Sequence, residues 1–288
     1  MADIYQIITD KIISAIETAQ TRNEKQWLGQ GTPRMPANFQ TRRAYSGINA
    51  LVLLVTAQSS GYTSPLWMTF KQATAGGGTI KKGEHGTQIV FFDIKEREET
   101  DKETGEIGIK KSALLKSYVV FNLDQTEGIT APEVLSDFQG IEAADVVLTR
   151  SGASITEAGT RAFYSPSHDL ITLPARARFV SSEAFYAVAL HELTHWTGHK
   201  ARLARDFSGR FGTESYAMEE LVAELGAAFL CADIGLIPAT LEDHAGYIEN
   251  WLKVLKSDKK AIFSAAAAAA KAHSFVMALA AEEAKQAA

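Results

Sequence analysis

The pentapeptide His191-Glu192-Leu193-Thr194-His195 constrains this chain more than any other stretch. It is an H-E-x-x-H pattern, and the apolar run Phe185 to Leu190 before it predicts a buried helix. Helical positions four apart differ by about 40° in azimuth and about 6 Å in rise, so both imidazoles leave one face. Two neutral imidazoles so spaced can bind one Zn²⁺, with Glu192 beside the water that such an ion activates. A buried histidine pair next to a glutamate with nothing to bind would be costly. The stretch therefore points to a metallohydrolase site on a dry, rigid helix.

A catalytic zinc usually takes three protein ligands and keeps one position open. His199 follows His195 by four residues, yet His191 and His199 would lie about 12 Å apart along an unbroken helix. The longer H-E-x-x-H-x-x-G pattern is met by Gly198, but a metzincin would place its third histidine at position 201, which is Ala201. His199 could serve only if the helix broke early. The better third ligand lies in Glu219-Glu220-Leu221-Val222-Ala223-Glu224. Glu220 and Glu224 share a helix face; Glu220 is read as the ligand and Glu224 as the acceptor of a hydrogen bond from a ligand imidazole, with exchanged roles as the alternative. Glu192 is the general base, and Tyr164 and Tyr247 are candidates to steady an oxyanion. The run Leu170 to Leu173 is a strand whose edge could receive an extended peptide. Two histidines and a glutamate also accept Mn²⁺, Co²⁺ or Ni²⁺ in place of zinc.

Charge divides the chain. The 288 residues carry a net charge of −5, so the whole is no basic nucleic-acid binder. Residues 1–130 hold 15 Lys and Arg against 14 Asp and Glu, and residues 131–288 hold 14 against 20. Six of the N-terminal acids crowd into 96–106 with only two bases. Outside that stretch, the first part is distinctly basic. One cysteine, Cys231, excludes an internal disulfide framework and fits a reducing cytoplasm; set in an apolar run, it is expected to be a buried thiol. No unbroken apolar run approaches a membrane span, and the N-terminus does not read as a signal peptide.

Periodicity predicts helices over Ile4–Ala19, from a Ser46 cap to about Ser59, from Thr69 to the glycines at 76–78, and over Ser181–His199 with Ser182 as a cap. Further helices are expected over Glu214–Ile234, Leu241–Lys256 and Lys260–Lys285, the last containing an alanine run. Trp27 to Asn38 reads as a loop. Thr87–Ile94 and Ala113–Asn122 read as strands around an acidic, solvated hairpin loop, and Gly159–Pro174 as two short strands around a turn at Ser165-Pro166-Ser167. The domain boundary falls in the aperiodic stretch from Asp124 to Ala144.

Basic, aromatic and amide side chains concentrate in the N-terminal part. Arg42, Arg43, Tyr45 and Asn49 form one group, Trp67, Lys71 and Gln72 a second, and Lys81 and Lys82 a third. Cations that neutralise phosphates, with rings that stack on unpaired bases, suit single-stranded DNA of any sequence; by composition alone, a solvated basic face over buried aromatics is the default reading.

These stretches, Thr41 to Asn49, Trp67 to Gln72, Lys82 to Gly86 and Val120 to Gln125, resemble the N-terminal domain of ArdC-type antirestriction proteins, which is shared with plasmid-encoded TraC primases. The H-E-x-x-H helix followed by Glu220 to Phe229 resembles the zincin-like metallopeptidase domain that accompanies it. The resemblance implies an α+β fold: a single-stranded-DNA-binding domain over 1–128, a linker at 129–144, and a mainly helical, gluzincin-type domain with a small β-sheet over 145–288. It implies a cytoplasmic protein that protects incoming conjugative DNA from host restriction, with a restriction-system subunit as one possible protein substrate and no membrane partner. His191, His195 and Glu220 match the family's metal ligands, and Glu192 its general base. A DNA-dependent protease acting on proteins bound or crosslinked to DNA is the alternative function.

Overall fold

The computed structural model describes residues 3–21, 35–100, 107–129, 140–179, 181–207, 209, 213–236 and 245–286. Most of the expected loop Trp27 to Asn38, most of the expected linker and the start of the helix expected from Leu241 lie outside these residues. The first half contains α1 (Ile4–Thr21), β1 (Ala37–Asn38), α2 (Gly47–Ser60), β2 (Leu66–Met68), α3 (Phe70–Ala75), β3 (Thr79–Ile80), β4 (Thr87–Thr100), β5 (Ile107–Asn122) and β6 (Thr126–Glu127). The second contains α4 (Gly140–Arg150), β7 (Ser154–Glu157), β8 (Phe163–Ser165), β9 (Leu170–Leu173), α5 (Ser182–Thr197), α6 (Glu214–Ile234), α7 (Ala245–Ser257) and α8 (Ala261–Gln286). The fold is α+β, as expected.

In the first half a sheet of order β1-β2-β5-β4 packs against α2. Leu53 and Ala57 of the helix meet Trp67, Ile89 and Val120 of the sheet. Edge strand β4 would leave polar backbone groups unpaired beside the helix. Asn49 satisfies them: its Nδ2 donates to the Val90 carbonyl at 2.7 Å, and the Val90 N–H donates to its Oδ1 at 2.9 Å. The β4–β5 ladder runs from Thr87↔Val120 to Thr100↔Ile107. Much of the sequence expected to be loop is therefore strand, because hairpin pairing continues into the charged stretch.

The second half has a three-stranded sheet of order β7-β9-β8 and the long helices. Leu170–Leu173 is its middle strand, parallel to β7 and antiparallel to β8. It therefore has no free edge for a peptide, and the edges belong to β7 and β8. Sequence reading missed α4 and β7 altogether.

Two cores hold the layers together. One joins α1 and α2 to α6, α7 and α8, and it buries Ile8, Ile12 and Ile16 from successive turns of α1. The other gathers α4, β9, α5, α6 and α8. Helices α6 and α8 belong to both. In α8, the span Ala261–Ala281 is long and apolar enough to cross a membrane by length and composition, against the expectation that no apolar run approaches such a span. Ala265, Ala266, Ala269, Ala272 and Val276 are all fully buried, and their small size lets α8 approach α2, α4, α5 and α6 closely.

Candidate functional site

The H-E-x-x-H segment occupies the last two turns of α5. The Ser181 hydroxyl, rather than that of Ser182, caps this helix by accepting from the Ala184 N–H at 3.1 Å. The next helix, α6, starts at Thr213, whose hydroxyl accepts from the Tyr216 N–H. The two helices touch where Gly226 faces Thr194. A Cβ at Gly226 would lie 2.4 Å from Thr194 Cγ2, so only glycine lets the backbones come this close.

This approach brings Glu220 between the two histidines. Its Oε2 is 3.6 Å from His191 Nε2, and its Oε1 is 3.7 Å from His195 Nε2. One ligand atom from each of the three residues lies within 4.8 Å of the others. Donors about 2.0–2.2 Å from a tetrahedral ion are about 3.3–3.6 Å apart, so the two distances from Glu220 to the imidazoles suit a divalent cation. All three side chains are buried, as is Glu192, which is 7% exposed. The imidazole rings are nearly perpendicular, with centroids 4.9 Å apart.

Burial opposes a charge on either imidazole. Glu220 and Glu224 at His191, and Glu219 and Glu220 at His195, outweigh that penalty and hold both imidazoles protonated above the usual histidine range. Burial likewise opposes a charge on Glu220, but the two imidazoles hold its carboxyl far below the carboxylate range. Glu224 stands behind His191, with Oε2 at 3.7 Å from Nδ1. Behind His195 stands Glu219, with Oε1 at 3.0 Å from Nδ1. Sequence reading gave Glu219 no role. A signal was present: in a run of buried neighbours an acid is rarely left unpaired.

The other candidates separate. His199 lies in the turn beyond α5, where its Nδ1 accepts from the Ala201 N–H, and it is not in the ligand group. The Tyr164 hydroxyl donates to Asp169 at 2.8 Å and accepts from Arg202 at 3.2 Å. Burial and the Asp169 carboxylate raise its pKa, so it is a poor acid in this arrangement. Tyr247 is on α7, but its side chain is outside those described. Cys231 is buried, and desolvation pushes its thiol up to about 12.

In the first half, Arg42, Arg43, Lys71, Lys81 and Lys82 are exposed. The Arg42 guanidinium lies 5.0 Å from the Phe39 ring centroid, and Lys81 Nζ donates to the Asp124 carbonyl at 2.7 Å. Trp67 is completely buried, against the edge of Tyr62, and offers no face to a base. Asn49 is occupied with β4. Tyr45 is half-buried and meets Asn38 at 3.4 Å. Gln72 closes a capping box with Thr69 and reaches Gln40 at 3.1 Å. Among the described residues of this half, Phe70, Phe91 and Tyr118 are exposed, at 61%, 63% and 49%; Phe70 lies in the expected stretch Trp67 to Gln72, though it was not among the residues expected to contact DNA.

Residues 2–121 match the N-terminal domain family of anti-restriction factor ArdC, and residues 142–268 match a zincin-like metallopeptidase family. Protein y4eC of Sinorhizobium fredii is 40% identical over 273 residues, which is 93% of this chain and 89% of that protein. DNA primase TraC of Escherichia coli is 37% identical over 290 residues, covering 95% of this chain but 20% of the primase. Two crystal structures of antirestriction protein ArdC from plasmid R388 superpose over nearly the full length. The metal-free form gives a TM-score of 0.79 at 41% identity, covering 98% of this chain and 99% of that one. The Mn(II)-bound form gives 0.77 at 40%, covering 97% and 99%. Agreement over both halves, in one order and at these identities, places the chain in the ArdC antirestriction family, with an ArdC-type N-terminal domain and a zincin-like metallopeptidase domain.

Proposed function

We propose that this chain binds single-stranded DNA through residues 1–128 and hydrolyses peptide bonds with a divalent metal held in residues 145–288, the two joined by 129–144. It would act in the bacterial cytoplasm to shield incoming conjugative plasmid DNA from restriction. The observation that carries the hydrolase half is the convergence of His191, His195 and Glu220 to within 4.8 Å beside Glu192. Zinc is the cation we favour, and Mn²⁺ is the ion bound in the R388 relative. When bound, the cation supplies Lewis acidity and lowers the pKa of water toward about 7. His191 and His195 present Nε2 and Glu220 presents its carboxylate. Glu192, the buried acid of α5, takes the proton from the attacking water and delivers it to the leaving amine.

For the DNA half, we assign phosphate contacts to Arg42, Arg43, Lys71, Lys81 and Lys82 and base stacking to Phe70. Flat rings and mobile cations on an open surface tolerate any base sequence.

The test uses the metal-loaded full chain, a protein substrate with and without single-stranded DNA, and the E192Q variant. Cleavage by the native chain and a loss of about 10²–10⁴ in E192Q are expected. Absence of cleavage under every metal and DNA condition would overturn the peptidase reading. In a conjugation assay into a restricting host, full protection by E192Q would separate DNA shielding from proteolysis. Cleavage of generic DNA-bound proteins only when single strands are present would instead favour a DNA-dependent protease.

A further inference from the structure

We propose that Glu219 and Arg205 are positioning residues for the metal site, acting through His195. This inference rests on the metal-binding reading above and extends it beyond the ligands.

Adjacent helical residues point about 100° apart, so Glu219 and Glu220 cannot approach His195 from the same side. Glu220 faces Nε2, and Glu219 faces Nδ1 from the opposite edge of the ring at 3.0 Å. A carboxylate at Nδ1 keeps a proton there, so the proton that gives way to a cation is the one on Nε2. It also fixes the plane of the ring.

Glu219 is itself held. Arg205 donates from Nε to Oε2 and from Nη2 to Oε1, both at 2.9 Å, a two-pronged contact that sets the direction of the carboxylate. The same guanidinium donates from Nη1 to the Thr197 hydroxyl at 2.8 Å and from Nη2 to the Thr194 carbonyl at 2.6 Å. Arg205 therefore grips the end of the metal helix and the start of the carboxylate helix together. Its cationic head also suits the negative end of the α5 dipole.

The loop from 198 to 205 is shaped for this return. A Cβ on Gly198 would sit 2.8 Å from Arg205 Nη2, 2.9 Å from its Cζ and 2.6 Å from Phe207 Cζ. The Arg205 and Glu219 side chains are each only about a tenth exposed, so solvent does not screen the pair as it would on an open surface. A pair that only fastened the loop would have no need to reach the imidazole.

The experiment measures Mn²⁺ and Zn²⁺ affinity of the full chain by chelator competition, with thermal unfolding of the metal-free proteins alongside. E219Q keeps the shape and an acceptor oxygen but loses the charge. R205A removes the clamp. Each is expected to weaken metal binding about 10–100-fold, with E219A worse than E219Q. The E219Q/R205A double variant should lose little more than the weaker-binding single, because both act through one contact. Native affinity in E219Q and R205A, even with a lowered unfolding temperature, would overturn the proposal and leave a merely structural pair. Strictly additive losses would overturn the relay from Arg205 through Glu219. A native chain that takes up neither ion would instead bring down the parent metal-binding reading.

Discussion

Replacing Gly226 by alanine tests whether helix contact sets the metal geometry. Taken alone, an alanine inside α6 should stabilise the helix by about 0.5–1 kcal/mol. The structure reverses that expectation. The added methyl would lie 2.4 Å from Thr194 Cγ2 and 2.9 Å from its Oγ1. Carbon atoms rest about 3.5–4.0 Å apart, so α5 and α6 must part by more than about 1 Å or Thr194 must turn. Turning breaks the 2.9 Å bond from its hydroxyl to the Leu190 carbonyl. Overpacking of this kind costs about 1–3 kcal/mol, which leaves a net loss of about 0–2.5 kcal/mol after the helix gain. In a chain of this size the melting temperature should fall by up to about 10 °C. The effect on metal binding should be larger. Ligand distances tolerate only about ±0.2 Å, and His191 and His195 ride on the helix that is displaced. Chelator competition and thermal unfolding read the two effects separately. Replacing Thr194 by alanine as well leaves only its Cβ, at 3.2 Å, and should restore most of the affinity. A G226A protein that melts higher and binds metal as tightly as native would refute the reasoning.

Metal uptake should release protons. Both imidazoles are held protonated by surrounding carboxylates, and a cation must displace that charge. Calorimetry at pH 7 in buffers of different ionisation enthalpy should report release of at least one proton per ion, with affinity rising as pH rises; buffer-independent heats would contradict this. The sign for the metal-free fold is opposite. Raised histidine pKa values give stability that is full below the unfolded value near 6.5 and is lost as pH climbs through the folded values. Unfolding midpoints of the metal-free protein should therefore drop on the alkaline side, and a flat profile from pH 7 to 10 would exclude the effect. Cys231, with its thiol pushed up to about 12, should resist a thiol reagent at pH 8 until the chain unfolds; rapid labelling of the native protein would show that the α6 core opens.

What the sequence disclosed was mostly local. Helix α6 was expected over the residues it occupies, because its apolar pattern ends at Gly235, which adopts a φ of 73° and closes the helix. A helix was expected from Thr69, and reciprocal bonds between Thr69 and Gln72 do start α3 there. Features set by distant partners stayed hidden. Strand β7 is four residues long and exists because β9 pairs with it in parallel. Helix α4 carries Ala144, Val147 and Leu148 at helical spacing, but its first turns fall in the stretch to Ala144 that read as aperiodic. In the site, H-E-x-x-H marks two donors by itself, whereas Glu219, Glu220 and Glu224 are chemically alike. Helical spacing alone put Glu220 and Glu224 on one face, but only the packing of α6 on α5 brings Glu219 to the Nδ1 edge of His195. Trp67 was misjudged for the same reason: aromatic composition near arginines does not distinguish a ring that stacks on a base from one that fills a core.

The cores set a limit on how the two halves can be handled. Ile8, Ile12, Ile16, Leu51, Val52 and Val55 of the first half are at most 3% exposed, within the core that also contains Leu221, Phe229, Trp251 and Ala265 of the second. Each such side chain contributes about 1.5–3 kcal/mol by burial. Even if half of that burial comes from contacts between α1 and α2 themselves, separation forfeits about 5–9 kcal/mol, within the range of an entire domain's stability. A fragment of residues 1–130 should therefore unfold well below the full chain or associate through its exposed helices, and DNA affinity measured on it would understate that of the intact protein. Cooperative melting of a monomeric fragment at the temperature of the full chain would show that the shared core adds nothing. Loss of that melting in the fragment, with its return on adding residues 131–288 as a separate chain, would show that the helices carrying Glu219 and Glu220 also support the basic half, and that the two modules fold as one unit.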